Sequence, residues 1–383
     1  MFYQLPPAGH PISLDTGSHA VLSPGDIFHP YQATFYNSGT AALAAAIGAA
    51  VRLQGVKAPE VILPAYGCPD LVSATVHAGA RPVLVDLEPD RPWMSLDQLA
   101  ASVGPQTVAI VAVSLFGIPE RMSAIRGIAE RSSLLLIEDS AQAFPNNGME
   151  SFWDGDLVVL SFGRGKPVSL LGGGAVLFRD EQFRRLLPDC GPDSAGTALG
   201  QAVFRLQARL YNFMSSARVY WIPAGLPVLQ LGETRYHPLE AVRCMDAARL
   251  GLLAANIETF QRRGRGVQSR LAGQCREISL RAGRRLVDLP AVCKVPESQS
   301  LLRYPLLLDI GLRDVIYNCL KRRGLGASRM YPAALPEIAG MQGVGGVFPV
   351  ARDFSARILT LPVHDRVKDS DIRRIADCLS ALA

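Results

Sequence analysis

Short apolar runs of three to six residues alternate with stretches in which apolar positions recur every three or four residues, and the two patterns take turns through the first half of the chain. The runs at 61–63, 82–85, 108–113, 134–137 and 157–161 predict strands, and 71–78 and 122–130 predict helices between them. A further strand is expected over 174–178, after Gly172 and Gly173. Ser95 and Gln98 have capping-box spacing and open another helix. Ahead of all these, Asn37, Ser38, Gly39 and Thr40 introduce an alanine-rich helix over 41–47. Strand and helix in this order predict the α/β class, a mostly parallel central sheet with helices on both faces.

Past Asp180 the pattern becomes helical and less regular, and Pro223, Gly225 and Pro227 interrupt it. A long helix is expected over 239–260, then strand, helix and strand over 304–308, 313–323 and 358–361. The last helix carries Ile372, Ile375, Ala376 and Leu379 on one face, behind Asp369 or Ser370 as its cap. The organisation read from this is an N-terminal arm over 1–33, a large domain over 34–225, and a smaller C-terminal α/β domain with its connecting helix over 226–383.

With 383 residues, 49% hydrophobic and 19% charged, the chain has enough apolar material for a large core, which excludes disordered and fibrous classes. Its start lacks the basic and apolar pattern of a signal peptide, and no apolar stretch is long enough to span a bilayer, so a cytoplasmic protein with no membrane partner is expected. Residues 203–231 are apolar and aromatic but broken by Arg205, Arg209 and Arg218, which reads as packing or dimer surface. The arginines at 262, 263, 265, 270, 276, 281, 284 and 285 suit a solvated helix face or the attraction of an anion. No aromatic platform accompanies them, and no nucleic-acid partner is expected. Seven cysteines without C-x-x-C spacing predict neither a disulfide framework nor a zinc site.

Lys166 changes this picture. Of five lysines, Lys57, Lys294, Lys321 and Lys368 sit in polar or mixed segments, whereas Lys166 alone lies among glycines between two apolar runs. A partly desolvated amine gives up its proton more readily and can condense with an aldehyde, so Lys166 is a candidate to hold pyridoxal phosphate as an imine. A surface hairpin lysine is the plainer alternative. A Walker-type phosphate loop is not, because Pro167 stands where Ser or Thr would hold magnesium.

Asp139 ends the strand predicted at 134–137, on the edge where ligands of open α/β sheets gather, and its carboxylate suits a pyridinium nitrogen as well as a helix cap. Glu138 should point the other way. The helix start at Gly39 and Thr40 offers unpaired amides to an anion, though an ordinary N-cap explains Ser38 and Thr40 equally. No G-x-G-x-x-G follows the first strand, against a nicotinamide dehydrogenase.

These residues occur within an ordered series: residues 38–43, Leu63-Pro64-Ala65-Tyr66, residues 79–83 with Val85 and Asp86, residues 137–143, Ser161-Phe162 with Lys166, Gly173-Gly174-Ala175, and Leu361-Pro362-Val363-His364. The series resembles the DegT/DnrJ/EryC1/StrS family of pyridoxal-phosphate aminotransferases, of fold type I. The resemblance implies that Lys166 bonds the cofactor and moves the substrate proton, and that Asp139 binds the pyridine nitrogen. It also implies that Gln142 contacts the phenolic-oxygen side, while Gly39, Thr40, Ala41 and Ser161 hold the phosphate.

The same resemblance implies a homodimer whose partner chain adds a phosphate contact, an amino donor such as L-glutamate, and a keto acceptor, often a nucleotide-linked keto-sugar. Cys68 stands where many members stack an aromatic ring, with Tyr66 close by. Thr234 and Arg235 stand where the partner segment carries Asn, which leaves Arg235 for the phosphate. Gly163 and Pro167 also depart from the commoner pattern and mark a divergent subgroup. Arg303, Tyr304, Arg329 and Tyr331 are substrate-side candidates. A dehydratase of the same family would replace Lys166 by His, and a cofactor-binding protein without turnover is the alternative outside enzymes.

Overall fold

The computed structural model describes residues 3–15, 27–146, 152–188, 198–226, 233–341 and 344–380. Its main sheet contains β1 (Gln32–Tyr36), β2 (Glu60–Pro64), β3 (Arg81–Val85), β4 (Thr107–Val113), β5 (Leu135–Asp139), β6 (Leu157–Ser161) and β7 (Gly174–Phe178), in the order β1-β7-β6-β5-β4-β2-β3. Pairs from β3 across to β6 are parallel, and β7 runs antiparallel to β6 and β1. A second, antiparallel sheet has the order β10-β9-β8, from β8 (Leu286–Asp288), β9 (Tyr304–Leu308) and β10 (Ile358–Leu361). In chain order the helices are α1 (Gly39–Gln54), α2 (Asp70–His77), α3 (Leu96–Ser102), α4 (Met122–Arg131), α5 (Gln182–Leu186), α6 (Ala198–Met214) and α7 (Trp221–Ala224). Then follow α8 (Ala247–Gln261), α9 (Gly266–Ala282), α10 (Leu289–Val292), α11 (Ile310–Arg322), α12 (Pro349–Arg357) and α13 (Asp369–Ser380).

Strand β4 is buried along its whole length, as a strand covered on both faces must be. Alternation along the strands sorts side chains between two layers. Leu157 and Val159 of β6 join the cluster containing α1, whereas Val158 and Leu160 pack with Ile12 of the arm, Phe204 and Ala208 of α6, and Leu252 and Leu253 of α8. On the far half of the sheet, Ile62, Ile110 and Leu136 meet Leu99 of α3 and Ile125 of α4.

Helix α1 is buried continuously from Ala41 through Ala50. Small side chains let it lie close across the sheet, and between Ala41 and Ala50 it carries no polar side chain. Ser38 starts it by accepting from the Ala41 N–H, and Gly55 stops it in the left-handed conformation with its N–H on the Val51 carbonyl.

Three expectations need correction. Helix α8 begins at Ala247 rather than near 239. Asp246 caps it there, and the preceding segment spends its backbone on the sheet edge, through Asn37 N–H to the Arg243 carbonyl (2.9 Å) and Met245 N–H to the Phe35 carbonyl (3.3 Å). Only half of the capping box forms: Ser95 accepts from the Gln98 N–H, but the Gln98 side chain accepts from the Asp86 N–H instead. Cys319 of α11 and Cys378 of α13 form a disulfide although no spacing suggested one, because packing of α11 on α13 brings together residues 59 apart in sequence. Pro227, one of the breaks noted above, lies outside the described residues.

The first residues run over both sheets. The Gln4 N–H reaches the Ala217 carbonyl, the Leu5 N–H reaches the Gly324 carbonyl, and Asn212 clamps Ile12 through both its N–H and its carbonyl.

Candidate active site

At the carboxyl ends of β4, β5 and β6, the start of α1 and the loop after β6 enclose a pocket. Gly39, Thr40, Cys68, Asp70, Val113, Asp139, Gln142, Ser161 and Lys166 are among its lining residues. Behind two of these residues lies Tyr331, whose hydroxyl accepts from the Gln142 side chain and neighbours the Cys68 thiol.

The loop after β6 is pinned at its base. The Phe162 carbonyl accepts from Leu170 (2.7 Å) and Gly172 (3.2 Å), and its N–H donates to the Gly173 carbonyl (2.9 Å). At the tip, the Lys166 N–H closes a turn onto the Gly163 carbonyl, and Gly165 within it has φ +73°, a conformation that favours glycine. This turn brings Lys166 to the pocket as a partly buried side chain.

Alternation along β5 separates its two acids. Glu138 turns to the other face and accepts from the Asp154 (2.8 Å) and Gly155 (3.0 Å) amides; burial still pushes its carboxyl up to about 7. Asp139 faces the pocket and accepts one bond, from the Ala141 N–H at 3.0 Å. Burial raises its pKa, against the lowering influence of that amide and of the Lys166 ammonium. Such a carboxylate favours a cationic hydrogen-bond donor.

The first turn of α1 faces β6 closely. A Cβ on Gly39 would lie 2.5 Å from the Ser161 Cβ, so only glycine fits between the helix start and the strand end. The Thr40 hydroxyl donates to Asp70 at 2.8 Å, and the Ala41 N–H is already taken by Ser38. Gln142 is held on both sides, accepting from the Phe116 N–H (2.9 Å) and donating to the Tyr331 hydroxyl (3.2 Å).

Cys68 lines the pocket with its thiol pushed up to about 12 by burial, so it offers a neutral, apolar wall. Tyr66 does not face the pocket. It is fully buried, its hydroxyl bonded to the backbone N–H and carbonyl of Tyr331 and its ring 4.9 Å from that of Phe354, so it ties the two sheets' layers together. Arg235 pairs with Glu233 at 2.8 Å on the surface, outside the pocket of its own chain. Among the substrate-side candidates, Tyr304 bonds both Asp288 oxygens and Arg329 pairs with exposed Asp314, whereas Tyr331 bonds the pocket residue Gln142 and Arg303 stands near Tyr331. Asp70 was not legible beforehand: an acid at the start of α2 reads as ordinary helix chemistry.

An aldehyde cofactor with an anionic tail and a basic ring nitrogen suits these residues. The pocket has one amine, one buried carboxylate short of a cationic partner, and a helix N-terminus whose glycine leaves no room for a side chain. That is the chemistry of pyridoxal phosphate.

A model of the DegT/DnrJ/EryC1/StrS aminotransferase family matches residues 28–201 and 269–380. The dTDP-4-dehydro-2,3,6-trideoxy-D-glucose 4-aminotransferase of Saccharopolyspora spinosa is 27% identical over 356 residues, covering 91% of this chain and 83% of that protein. The dTDP-4-amino-4,6-dideoxy-D-glucose transaminase of Shigella dysenteriae is 26% identical over 353 residues, with 88% and 82% covered. Among solved structures, NtdA from Bacillus subtilis with bound cofactor PMP superposes with a TM-score of 0.65 at 19% identity, over 93% of this chain and 74% of that one.

Proposed function

This chain belongs to the DegT/DnrJ/EryC1/StrS aminotransferase family, and from that premise we propose that it transfers an amino group from L-glutamate to a nucleotide-linked keto-sugar, using pyridoxal 5′-phosphate held by Lys166. One observation carries the assignment of residues: Lys166 and the buried Asp139 line the same pocket beside the start of α1. The sugar acceptor is supported by the named activities of the Saccharopolyspora and Shigella relatives.

Pyridoxal phosphate, when bound, supplies an electron sink conjugated to the carbon that exchanges its proton. Lys166 would hold the cofactor through its Nζ, and that amine, once freed by an amino donor, would be the group that takes up the donor's α-proton. Asp139 would hold the proton on the ring nitrogen, and its burial would strengthen that bond. The N–H groups of Gly39 and Thr40, ahead of any partner within α1, would together with Ser161 hold the phosphate, and Gln142, fixed on both sides, would meet the ring's phenolic side. Cys68 would meet the ring with a small apolar surface.

A homodimer is part of the proposal. Leu199, Val203, Leu206, Leu210 and Phe213 of α6 are exposed at alternating spacings of four and three, the pattern of a helix seam awaiting a partner. Sedimentation velocity should give twice the chain mass.

The experiment for the reaction is a single-turnover mixing of the holoprotein with L-glutamate, followed by visible absorption. A shift from the pyridoxal to the pyridoxamine form supports an aminotransferase. No change with any amino donor favours a binding protein without turnover.

A further inference from the structure

Beside the pocket, the two sheets and the arm converge on a group of cations that outnumbers its carboxylates. Arg303 precedes β9, Arg366 follows β10, His10 lies on the arm, and Arg263 follows α8. Asp365 is the one carboxylate paired within this group among the described residues. It lies 3.6 Å from Arg263 Nε and 4.0 Å from His10 Nδ1, and it is half exposed. Neither Arg303 nor Arg366 has an ion-pair partner among the described residues.

Arg303 Nε, Arg366 Nη1 and His10 Nδ1 are all buried without a hydrogen-bond partner. The rest of Arg366 is anchored, its N–H on His364 Nδ1 (3.3 Å) and its Nη2 on the Asn212 carbonyl (3.1 Å). His364 in turn meets the Pro6 carbonyl through Nε2 at 2.9 Å, and its ring stands 6.2 Å from that of His10. The other polar groups facing the two arginines are hydroxyls: Tyr331 and Tyr220 toward Arg303, and Tyr211 toward Arg366.

Burying a guanidinium nitrogen without an acceptor is unfavourable, and the described residues do not offset it. A guanidinium in such a place is geometrically matched to an oxyanion, which it can bind through two parallel bonds. The position matters as much as the charge. Tyr331 neighbours Arg303 and also contacts Gln142 and Cys68, two residues of the pocket, and the arm just before His10 brings Ala8 close to Gly165 in the Lys166 turn.

We propose that Arg303 and Arg366 form an oxyanion-binding site beside the pocket, which takes the carboxylate or phosphate of a substrate whose reacting carbon lies at Lys166. This rests on the aminotransferase reading of the pocket. Both substrates of that reaction carry such a group: the amino donor a carboxylate, the nucleotide-linked acceptor its phosphates. A two-step exchange through one pocket would present them to the same arginines in turn.

The test uses holoprotein of wild type, Arg303→Met, Arg303→Lys and Arg366→Met, with glutarate and thymidine diphosphate as unreactive probes in calorimetric titrations. Expected is binding of at least one probe by wild type, a loss of tenfold or more in Arg303→Met and Arg366→Met, partial rescue in Arg303→Lys, and an unchanged visible cofactor band in all four. Loss confined to glutarate assigns the donor carboxylate, and loss confined to thymidine diphosphate assigns the acceptor phosphate. Ligand-free Arg303→Met should unfold at the wild-type temperature or above, since an unpaired buried cation has been removed.

Wild-type binding of both probes by both Met variants overturns the proposal. So does wild type that binds neither probe, or a lowered unfolding temperature in ligand-free Arg303→Met, which would mark the arginine as structural. Failure of wild type to respond spectrally to any amino donor would instead remove the aminotransferase reading, and the titrations would still report on the arginines.

Discussion

The edge of the seven-stranded sheet lines the pocket, the region beside the three-stranded sheet lies behind it through Tyr331, and the two treat their polar groups differently. On the edge, Gln142 is held from both sides, Ser38 caps α1, Thr40 is bonded to Asp70 and Glu138 has two amides. Asp139 has one amide and faces the pocket. In the region behind the pocket, Tyr66 locks the backbone at Tyr331, while Arg303 and Arg366 keep nitrogens without acceptors. A surface whose polar groups already have partners is preorganised for a resident group, whereas unpaired buried cations mark where a transient one is received.

The comparison breaks most visibly at Lys166. Lys166→Ala should lower the single-turnover rate with an amino donor on the order of 10⁴-fold, measured by stopped-flow absorption, because both anchor and proton carrier are lost. Asp139→Asn should lower it by about 10²-fold. The amide is isosteric but holds the ring proton poorly, so a wild-type rate in this variant would remove Asp139 from the chemistry. Gly39→Ala should weaken cofactor affinity on the order of tenfold, read by fluorescence titration of the apoprotein, since the new methyl meets Ser161 at 2.5 Å.

Tyr66→Phe sharpens the side behind the pocket. It deletes a buried hydroxyl bonded to the Tyr331 backbone and should cost about 1–3 kcal/mol in stability while leaving the cofactor band unchanged. A shifted band would return Tyr66 to the role of stacking residue.

The smallest effect on turnover is expected at Glu138, whose signature is a pH dependence of stability. Its folded pKa, about 7, lies above the ordinary value, so the folded chain holds the extra proton more tightly than the unfolded one. Stability from this group is therefore full below about pH 4.5 and is lost as pH rises through 7. Glu138→Gln should flatten the melting temperature across that window and leave turnover intact.

Much of this arrangement was legible in the sequence where local rules decide. Apolar runs located β2 to β7, the alternation of Glu138 and Asp139 across β5 followed from strand geometry, and a capping cluster marked the start of α1. What was not legible depends on partners distant in the chain. The segment before α8 gave up helix because the edge of β1 offered its backbone other bonds, and Cys319 met Cys378 only through the packing of α11 on α13. Tyr66 looked like a stacking residue by its nearness to Cys68, yet Tyr331, 265 positions away, decides where its hydroxyl goes. The unpaired state of Arg303 has no local signature at all.

The central claim is that Lys166 carries the cofactor, and borohydride reduction of the yellow holoprotein followed by peptide mass analysis tests it most directly. The account predicts bleaching of the visible band and a reduced pyridoxyl group on the peptide containing Lys166. Label on Lys57, Lys294, Lys321 or Lys368, or no label on any lysine, would contradict it.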